Sequence, residues 1–253
     1  MPPVPSWKHA WITGASSGIG AELAVSLAEG GVTVSASARS GEKLSALNTR
    51  NRDVHPLPLD VVDPDAVAAS VKAAEEAHGP IDLAILNAGL WEPSDPAKFD
   101  GNAAERSMEV NYLGVTHALA VLLPAMKARR SGHIAIVSSV AGYRGLPKGA
   151  YYGPTKAALI NLCEALRPEL EAEGITLQVI NPGFVKTPMT SINTFPMPFL
   201  MEVDDAVKAI MRGLTSAKFE IAFPWQLVFL LKLLRILPYR IYFWLMRRIM
   251  PKV

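Results

Sequence analysis

Cysteine is nearly missing from this chain. Cys163 is the single thiol among 253 residues, which excludes an intrachain disulfide and a thiol-based zinc site. It falls in the apolar run 157–166, where a buried structural thiol is the expectation. Acid is missing after Glu220, although base is not. Six of the chain's 25 basic residues (Lys232, Arg235, Arg240, Arg247, Arg248 and Lys252) follow Phe223, leaving 19 bases against 23 acids and a charge of −4 on the rest. The net charge of +2 is too small for nucleic acid to be the main partner. Long hydrophobic runs are also missing from the tail. Its longest uncharged piece, 221–231, falls short of the about 20 apolar residues that cross a bilayer. The opening Met-Pro-Pro-Val-Pro-Ser-Trp lacks the basic and then apolar regions of a signal peptide, so a reducing, cytoplasmic setting is expected. What the chain has in quantity is hydrophobic side chains, 50% of the total, enough for a sizeable core and too many for global disorder.

Those side chains alternate between two patterns. Buried strands are predicted over 9–13, 32–38, 54–59, 81–86, 133–138, 175–181 and 219–222. Helices are predicted over 21–29, 41–50, 64–78, 104–130, 152–173 and 204–214. Asp63 and Pro64 open the third helix as a cap and a first-position proline, while Pro168 is expected to bend the fifth or end it early. Strands separated by helices of ten or more residues imply right-handed βαβ crossovers and a parallel sheet. No internal repeat and no linker interrupts residues 1–223, so one doubly wound α/β domain is expected, with 224–253 as an apolar, basic tail.

Glycines stand at 14, 18 and 20 between the first strand and the first helix, in Thr-Gly-Ala-Ser-Ser-Gly-Ile-Gly. Such a turn lets backbone approach a pyrophosphate, which then rests at the positive end of the helix; a glycine-rich turn without a ligand is the alternative. At the end of the second strand an acid would select NAD by binding its ribose hydroxyls, and a base would accept the extra phosphate of NADP. No acid occurs from Val32 to Gly41. Arg39 can fork onto a phosphate with help from Ser40 or Ser16, so NADP(H) is favoured over NAD(H). Asp60-Val61 and Asn87-Ala88-Gly89 fall at the ends of the next two strands, where ligands of open α/β sheets collect or where plain turn chemistry operates. Further on, Tyr152 and Lys156 lie four apart on one helix and therefore share a face. A phenol is a poor proton carrier at neutral pH, and a neighbouring cation brings its pKa down into working range.

With these pieces in place the chain resembles the short-chain dehydrogenase/reductase family over about residues 8–223. The resemblance rests on TGASSGIG at 13–20, DV at 60–61, NAG at 87–89, Asn111, SSVAG at 138–142, YGPTK at 152–156 and NPGFVKT at 181–187. Leu86 departs from it, because the family more often has a second Asn there. The resemblance implies a single Rossmann-type domain with a mainly parallel seven-stranded sheet, a nucleotide bound by 14–20 (Ser17 and Ile19 included), and a catalytic tetrad. In that tetrad Ser139 steadies the substrate oxygen and Tyr152 passes the proton. Lys156 holds the nicotinamide ribose and lowers the phenol's pKa, and Asn111 positions water for a proton relay. Pro182, Gly183, Val185 and Thr187 are implied to run beside the nicotinamide. No metal is implied, and the two long helices are implied to pair subunits into a homodimer or homotetramer.

Two segments lie outside those motifs. Residues 188–203 carry Met189, Phe195, Met197, Phe199, Leu200 and Met201 among prolines. They read as an adaptable apolar lid over a hydrophobic substrate, or as a segment packed on the body. The tail reads as two helices broken at Pro238, lying in a membrane interface with its bases toward lipid phosphates. A subunit contact and a deeper hairpin are its other readings. Together these features predict an NADP(H)-dependent enzyme interconverting hydroxyl and carbonyl on a hydrophobic substrate. An NAD-dependent alcohol dehydrogenase and a non-catalytic nucleotide-binding relative stand as alternatives.

Overall fold

The computed structural model describes residues 7–249. The expectations made for the opening residues and for Lys252 fall outside the described residues. Strands β1 His9–Thr13, β2 Thr33–Ala38, β3 Val54–Pro58, β4 Leu83–Leu86, β5 Gly132–Val137, β6 Ile175–Pro182 and β7 Glu220–Phe223 form one sheet. Their spatial order is β3-β2-β1-β4-β5-β6-β7, and every pairing is parallel. The sheet is thus wholly parallel, where a mainly parallel one was expected. Strands β1 and β4 are buried along their whole length because helices cover both faces, which is why β4 reads as an unbroken apolar run.

One face is covered by α1 Gly18–Glu29, α2 Gly41–Arg50 and α7 Val203–Leu214, and the other by α3 Pro64–His78, α5 Gly114–Ala128 and α6 Tyr152–Ala172, with α4 Gly101–Met108 packed beside α6. Asp63 caps α3 by accepting from the N–H groups of Asp65 and Ala66, with Pro64 in the first turn. Strand order reverses between β1 and β4, and at that switch point the loops leaving the carboxyl ends splay apart to leave a crevice. Leu86, the departure from the family pattern, is fully buried in the core.

Two expectations about helices need correction. The long helix predicted over 104–130 is not one regular helix, because a wider π turn, Glu109–Leu113, joins α4 to α5 and carries Asn111. The turn lets Gly114 press onto Val61, where an added Cβ would sit 2.8 Å from the valine Cγ2. Pro168 does not end α6, which continues to Ala172. Buried Leu170 and a 3.1 Å bond from the Arg167 guanidinium to the Leu177 carbonyl hold its last turns on β6.

The tail folds as α8 Trp225–Ile236 and α9 Tyr239–Ile249. Leu227, Leu231 and Leu234, one helical face of α8, enter the main core together with Tyr242 and Met246 of α9. Arg144 closes the C-terminal end of α8 by donating to the carbonyls of Leu234, Arg235 (3.1 Å) and Leu237 (2.8 Å), and its guanidinium lies 3.9 Å from the Tyr242 ring centroid.

His133, the second residue of β5, is buried, with Nε2 2.8 Å from Gln178 Oε1 and its ring against Trp7. Burial lowers its pKa from 6.5 to about 4, against an opposing pull from the Gln178 bond. Between those two pH values the unfolded chain binds a proton that the folded chain refuses, so stability falls as pH falls. Denaturant titrations at pH 7 and pH 4 should show wild type losing about 3 kcal/mol more than His133→Gln. Equal losses would contradict the assignment.

Candidate active site

The site is assembled at the carboxyl edge of the sheet, and its first part is a stitched pair of loops. After β1 the chain turns through Gly14 at φ 68°, where an added Cβ would come 2.7 Å from the Ala88 Cα, so only glycine fits. The Asn87 side chain donates to the carbonyls of Thr13 and Gly14, both at 3.1 Å. Thr13 Oγ1 in turn accepts from the N–H groups of Asn87 (3.0 Å) and Ala88 (3.1 Å). Gly18, at φ 56°, starts α1. Ser17 occupies the cap position of α1 without a side-chain bond, and the first turn holds no acid. The first-turn N–H groups are therefore left for an anion.

These loops bound a cleft of about 420 Å³. Its walls include Gly14, Ser16, Ser17, Gly18, Ile19, Arg39, Ser40, Asp60, Val61, Asn87, Ala88 and Gly89 on one side. Ser139, Tyr152, Lys156, Pro182, Gly183, Val185 and Thr187 complete the other. Two expected site residues do not line it. Gly20 lies behind the first loop, where a Cβ would meet Asn87 Nδ2 and the Gly14 carbonyl at 2.5 Å. Asn111 is fully buried; its Nδ2 donates to the Leu90 carbonyl and to Thr155 Oγ1 at 3.0 Å each, and its Oδ1 accepts from the Leu90 N–H at 2.6 Å. Both ends of its amide thus clamp the loop after Gly89 to α6.

Around the first turn of α6 the contacts are equally close. Lys156 is 2% exposed; its Nζ donates to the Val137 carbonyl at 2.9 Å and lies 5.4 Å from the Tyr152 ring centroid. Ser138 donates to the Lys156 carbonyl at 2.8 Å. Ser139 accepts from the Ala141 N–H at 3.1 Å and donates weakly to the Pro182 carbonyl at 3.4 Å. Its long second bond leaves Ser139 the freer hydroxyl of the two. The electrostatics depart from expectation. Burial pushes the Tyr152 phenol up to about 12, with Ser139 pulling it part of the way back, and burial brings the Lys156 amine down to about 7. A lowered phenol was expected from the neighbouring cation. Here desolvation dominates, because it favours the neutral form of both groups.

Several residues that sequence reasoning passed over belong to the site. Lys43 lines the cleft beside Arg39 and Ser40, one helical turn beyond Arg39, a spacing that could have flagged it. Leu90, Val110, Met189 and Thr190 also line it, without any local pattern to mark them. Trp91 stands perpendicular to the Tyr152 ring at 5.2 Å, and its Nε1 donates to Asn193 Oδ1 at 2.9 Å. Phe195 then faces Trp91 at 6.4 Å and Phe184 at 6.1 Å. Residues 188–203 reach the cleft through Met189 and Thr190, with Phe195 and Met197 half-buried and Phe199 and Leu200 exposed. Paired backbone bonds between Phe184–Lys186 and Met201 tie down the far end of the segment.

A glycine-lined nucleotide cleft that ends on a phenol and an amine defines a nucleotide-dependent oxidoreductase. The sequence model of the short chain dehydrogenase family matches residues 8–195, and the chain belongs to that family. An uncharacterized oxidoreductase of Myxococcus xanthus is 38% identical over 237 residues, 92% of this chain and 94% of its own. A short chain dehydrogenase from Burkholderia cenocepacia, solved in complex with NADP, superposes with a TM-score of 0.82 at 28% identity, covering 97% of this chain and 98% of that one. A variant of actinorhodin polyketide ketoreductase, solved with NADPH, gives 0.77 at 26% identity over 86% of this chain and 95% of that one.

Because Asn111 satisfies both backbone groups of Leu90, Asn111→Ala should cost about 3 kcal/mol of stability and weaken nucleotide binding by loosening residues 87–91. Urea unfolding and a fluorescence titration check the two effects. Unchanged values in both would show that the clamp is idle.

Proposed function

We propose that this oxidoreductase reduces a carbonyl on a hydrophobic substrate, with NADPH as its cofactor. The observation that carries the proposal is the convergence of Ser139, Tyr152 and Lys156 in the cleft that the glycine turns line. Cofactor choice follows from the end of β2. Arg39, Ser40 and Lys43 gather there with Ser16, and no acid competes for ribose hydroxyls from Val32 to Gly41. A 2′-phosphate would meet two cations at the N-terminal end of α2. The NADP and NADPH bound by the Burkholderia dehydrogenase and the ketoreductase support this choice. The first turn of α1 would hold the pyrophosphate, Lys156 the nicotinamide ribose, and Val185 with Thr187 the carboxamide.

The bound nicotinamide supplies the hydride; the chain handles the proton. Ser139 donates a hydrogen bond to the substrate oxygen as negative charge grows on it. Tyr152 gives its proton to the same oxygen. A phenol raised to about 12 by burial is fully protonated at neutral pH and loaded for reduction. The reverse reaction needs the phenolate, which is scarce there. Asn111 braces the site, holding Leu90 and α6 in register. Trp91, edge-on to the Tyr152 ring, and Phe195 behind it give the substrate an apolar wall that excludes water from the reacting atoms.

Tyr152→Phe should lower kcat for ketone reduction by roughly 10²–10⁴-fold while NADPH binding is retained. Retained turnover would refute the assignment, and a non-catalytic chain would show no turnover in the wild type either. Arg39→Ala should weaken NADPH at least tenfold and leave NADH unchanged in parallel titrations; equal effects would favour the NAD-dependent reading. Phenolate rises with pH, so alcohol oxidation should accelerate from neutral to alkaline pH. Ketone reduction should stay nearly level over the same range, because the phenol raised to about 12 remains protonated. Paired pH–rate profiles in the two directions measure both trends, and parallel profiles would contradict them.

A further inference from the structure

The two tail helices bury one face and leave the other bare. Trp225 (72% exposed), Phe229 (67%), Ile236 (76%) and Tyr239 (73%) stand out from the body, together with Leu230, Leu233, Phe243 and Trp244. Leu227, Leu231 and Leu234 of α8 and Tyr242 and Met246 of α9 face the same core, so the opposite faces of both helices point away from it. Bases rim this surface. Arg235, Arg240, Arg247 and Arg248 are exposed, and none forms an ion pair with an acid among the described residues. Of the tail bases among the described residues, Lys232 alone is paired, with Glu220. No acid follows Glu220 in the chain.

A contiguous apolar face of this kind marks an interaction site, and its charge decides among partners. A second copy joined through a twofold axis would set arginine against arginine with no acid on the patch to relieve them. A bilayer with anionic headgroups offers hydrocarbon to the aromatic and aliphatic side chains and phosphate to the guanidinium groups. The helices, 12 and 11 residues long, extend only about 17–18 Å each at 1.5 Å per residue. No helix among the described residues is long and apolar enough to cross a membrane. They can lie in the interfacial layer with their buried faces still on the core.

The same helix α9 walls a second cavity, of about 830 Å³, between Tyr242, Phe243 and Met246 on one side and Ser94, Lys148 and Phe195 on the other. Phe195 is the outer member of the ring pair Trp91–Phe195, and Trp91 touches Tyr152. That ring pair runs from the wall of this cavity to the catalytic phenol. Phe243, 52% exposed, faces both solvent and cavity.

We propose that the outward face of α8 and α9 lies in the interfacial layer of an anionic lipid bilayer, and that the cavity beneath α9 admits a bilayer-dissolved carbonyl compound toward Tyr152. The docking stands independently of catalysis; the entry route rests on the carbonyl reductase reading above.

Flotation of the full chain with phosphatidylcholine vesicles, with and without 30 mol% phosphatidylglycerol, tests the docking at physiological salt. Protein should rise with the phosphatidylglycerol vesicles. The double variant Trp225→Ser/Ile236→Ser, whose side chains touch neither cavity, should lose at least tenfold of that binding while binding NADPH as wild type does. Wild type remaining at the bottom of the gradient would overturn the docking, as would a wild-type dimer in sedimentation velocity that the double variant breaks, since that assigns the face to a second copy. For the entry route, NADPH consumption with 2-decanone should rise at least threefold on adding phosphatidylglycerol vesicles to wild type and not to the double variant. Turnover that vesicles leave unchanged overturns the route while flotation still reads the docking. A protein that floats and reduces no ketone would instead count against the reductase reading and the route together.

Discussion

Burial of one amine organises this molecule. Lys156 reaches the cleft from the first turn of α6 with almost no contact with water, and it is held by a single carbonyl at the end of β5. A group so placed must be positioned from every side, since a buried cation without partners is costly. Ser138 bonds the lysine's backbone carbonyl, Asn111 bonds Thr155 beside it, and the Gly142 turn packs against its backbone so closely that a Cβ would lie 2.7 Å away. The π turn between α4 and α5 brings Asn111 to that place. The long helices, the parallel sheet and the β5 loop are therefore all tied to the helical turn that carries Lys156, and the phenol of Tyr152 inherits its position from the same turn.

The chemistry of the site follows from that dryness. In water the phenol and the amine would both be in their ordinary ranges; in the cleft each is driven toward its neutral form. A protonated phenol is a proton donor in waiting, and Ser139 is placed to steady the oxygen that receives the proton. The same absence of water strengthens each hydrogen bond at the reacting centre.

The motif residues were legible in the sequence because each is constrained at short range. Gly14 must adopt a left-handed backbone conformation, Asn87 must reach a loop 73 positions away, and Tyr152 and Lys156 must share a helical face. The sheet was legible because the strands buried between helices, β1 to β6, carry no charged side chain. Long-range placement was not legible. Trp91 is an isolated aromatic in a loop, and only its contact with Tyr152 gives it a role. Gly20 and Asn111 carry the family pattern, yet they support the cleft wall from behind, which spacing alone cannot distinguish from lining it. The desolvation that raises the Tyr152 phenol is a property of the assembled cleft, whereas the charge four residues away is visible in sequence. The tail helices and the break at Pro238 were visible as periodicity and punctuation. Their shared buried face, and the cavity that α9 walls, emerged only from the packing.

The central claim is that the phenol at 152 protonates the substrate oxygen while Lys156 holds the cofactor. A crystal structure of the ternary complex with NADPH and an unreactive ketone analogue tests it most directly. The account predicts Tyr152 Oη and Ser139 Oγ both within hydrogen-bond distance of the analogue's oxygen, with Lys156 Nζ on the nicotinamide ribose. A phenol turned away from that oxygen, with Lys156 still bound to the Val137 carbonyl and out of reach of the sugar, would contradict it.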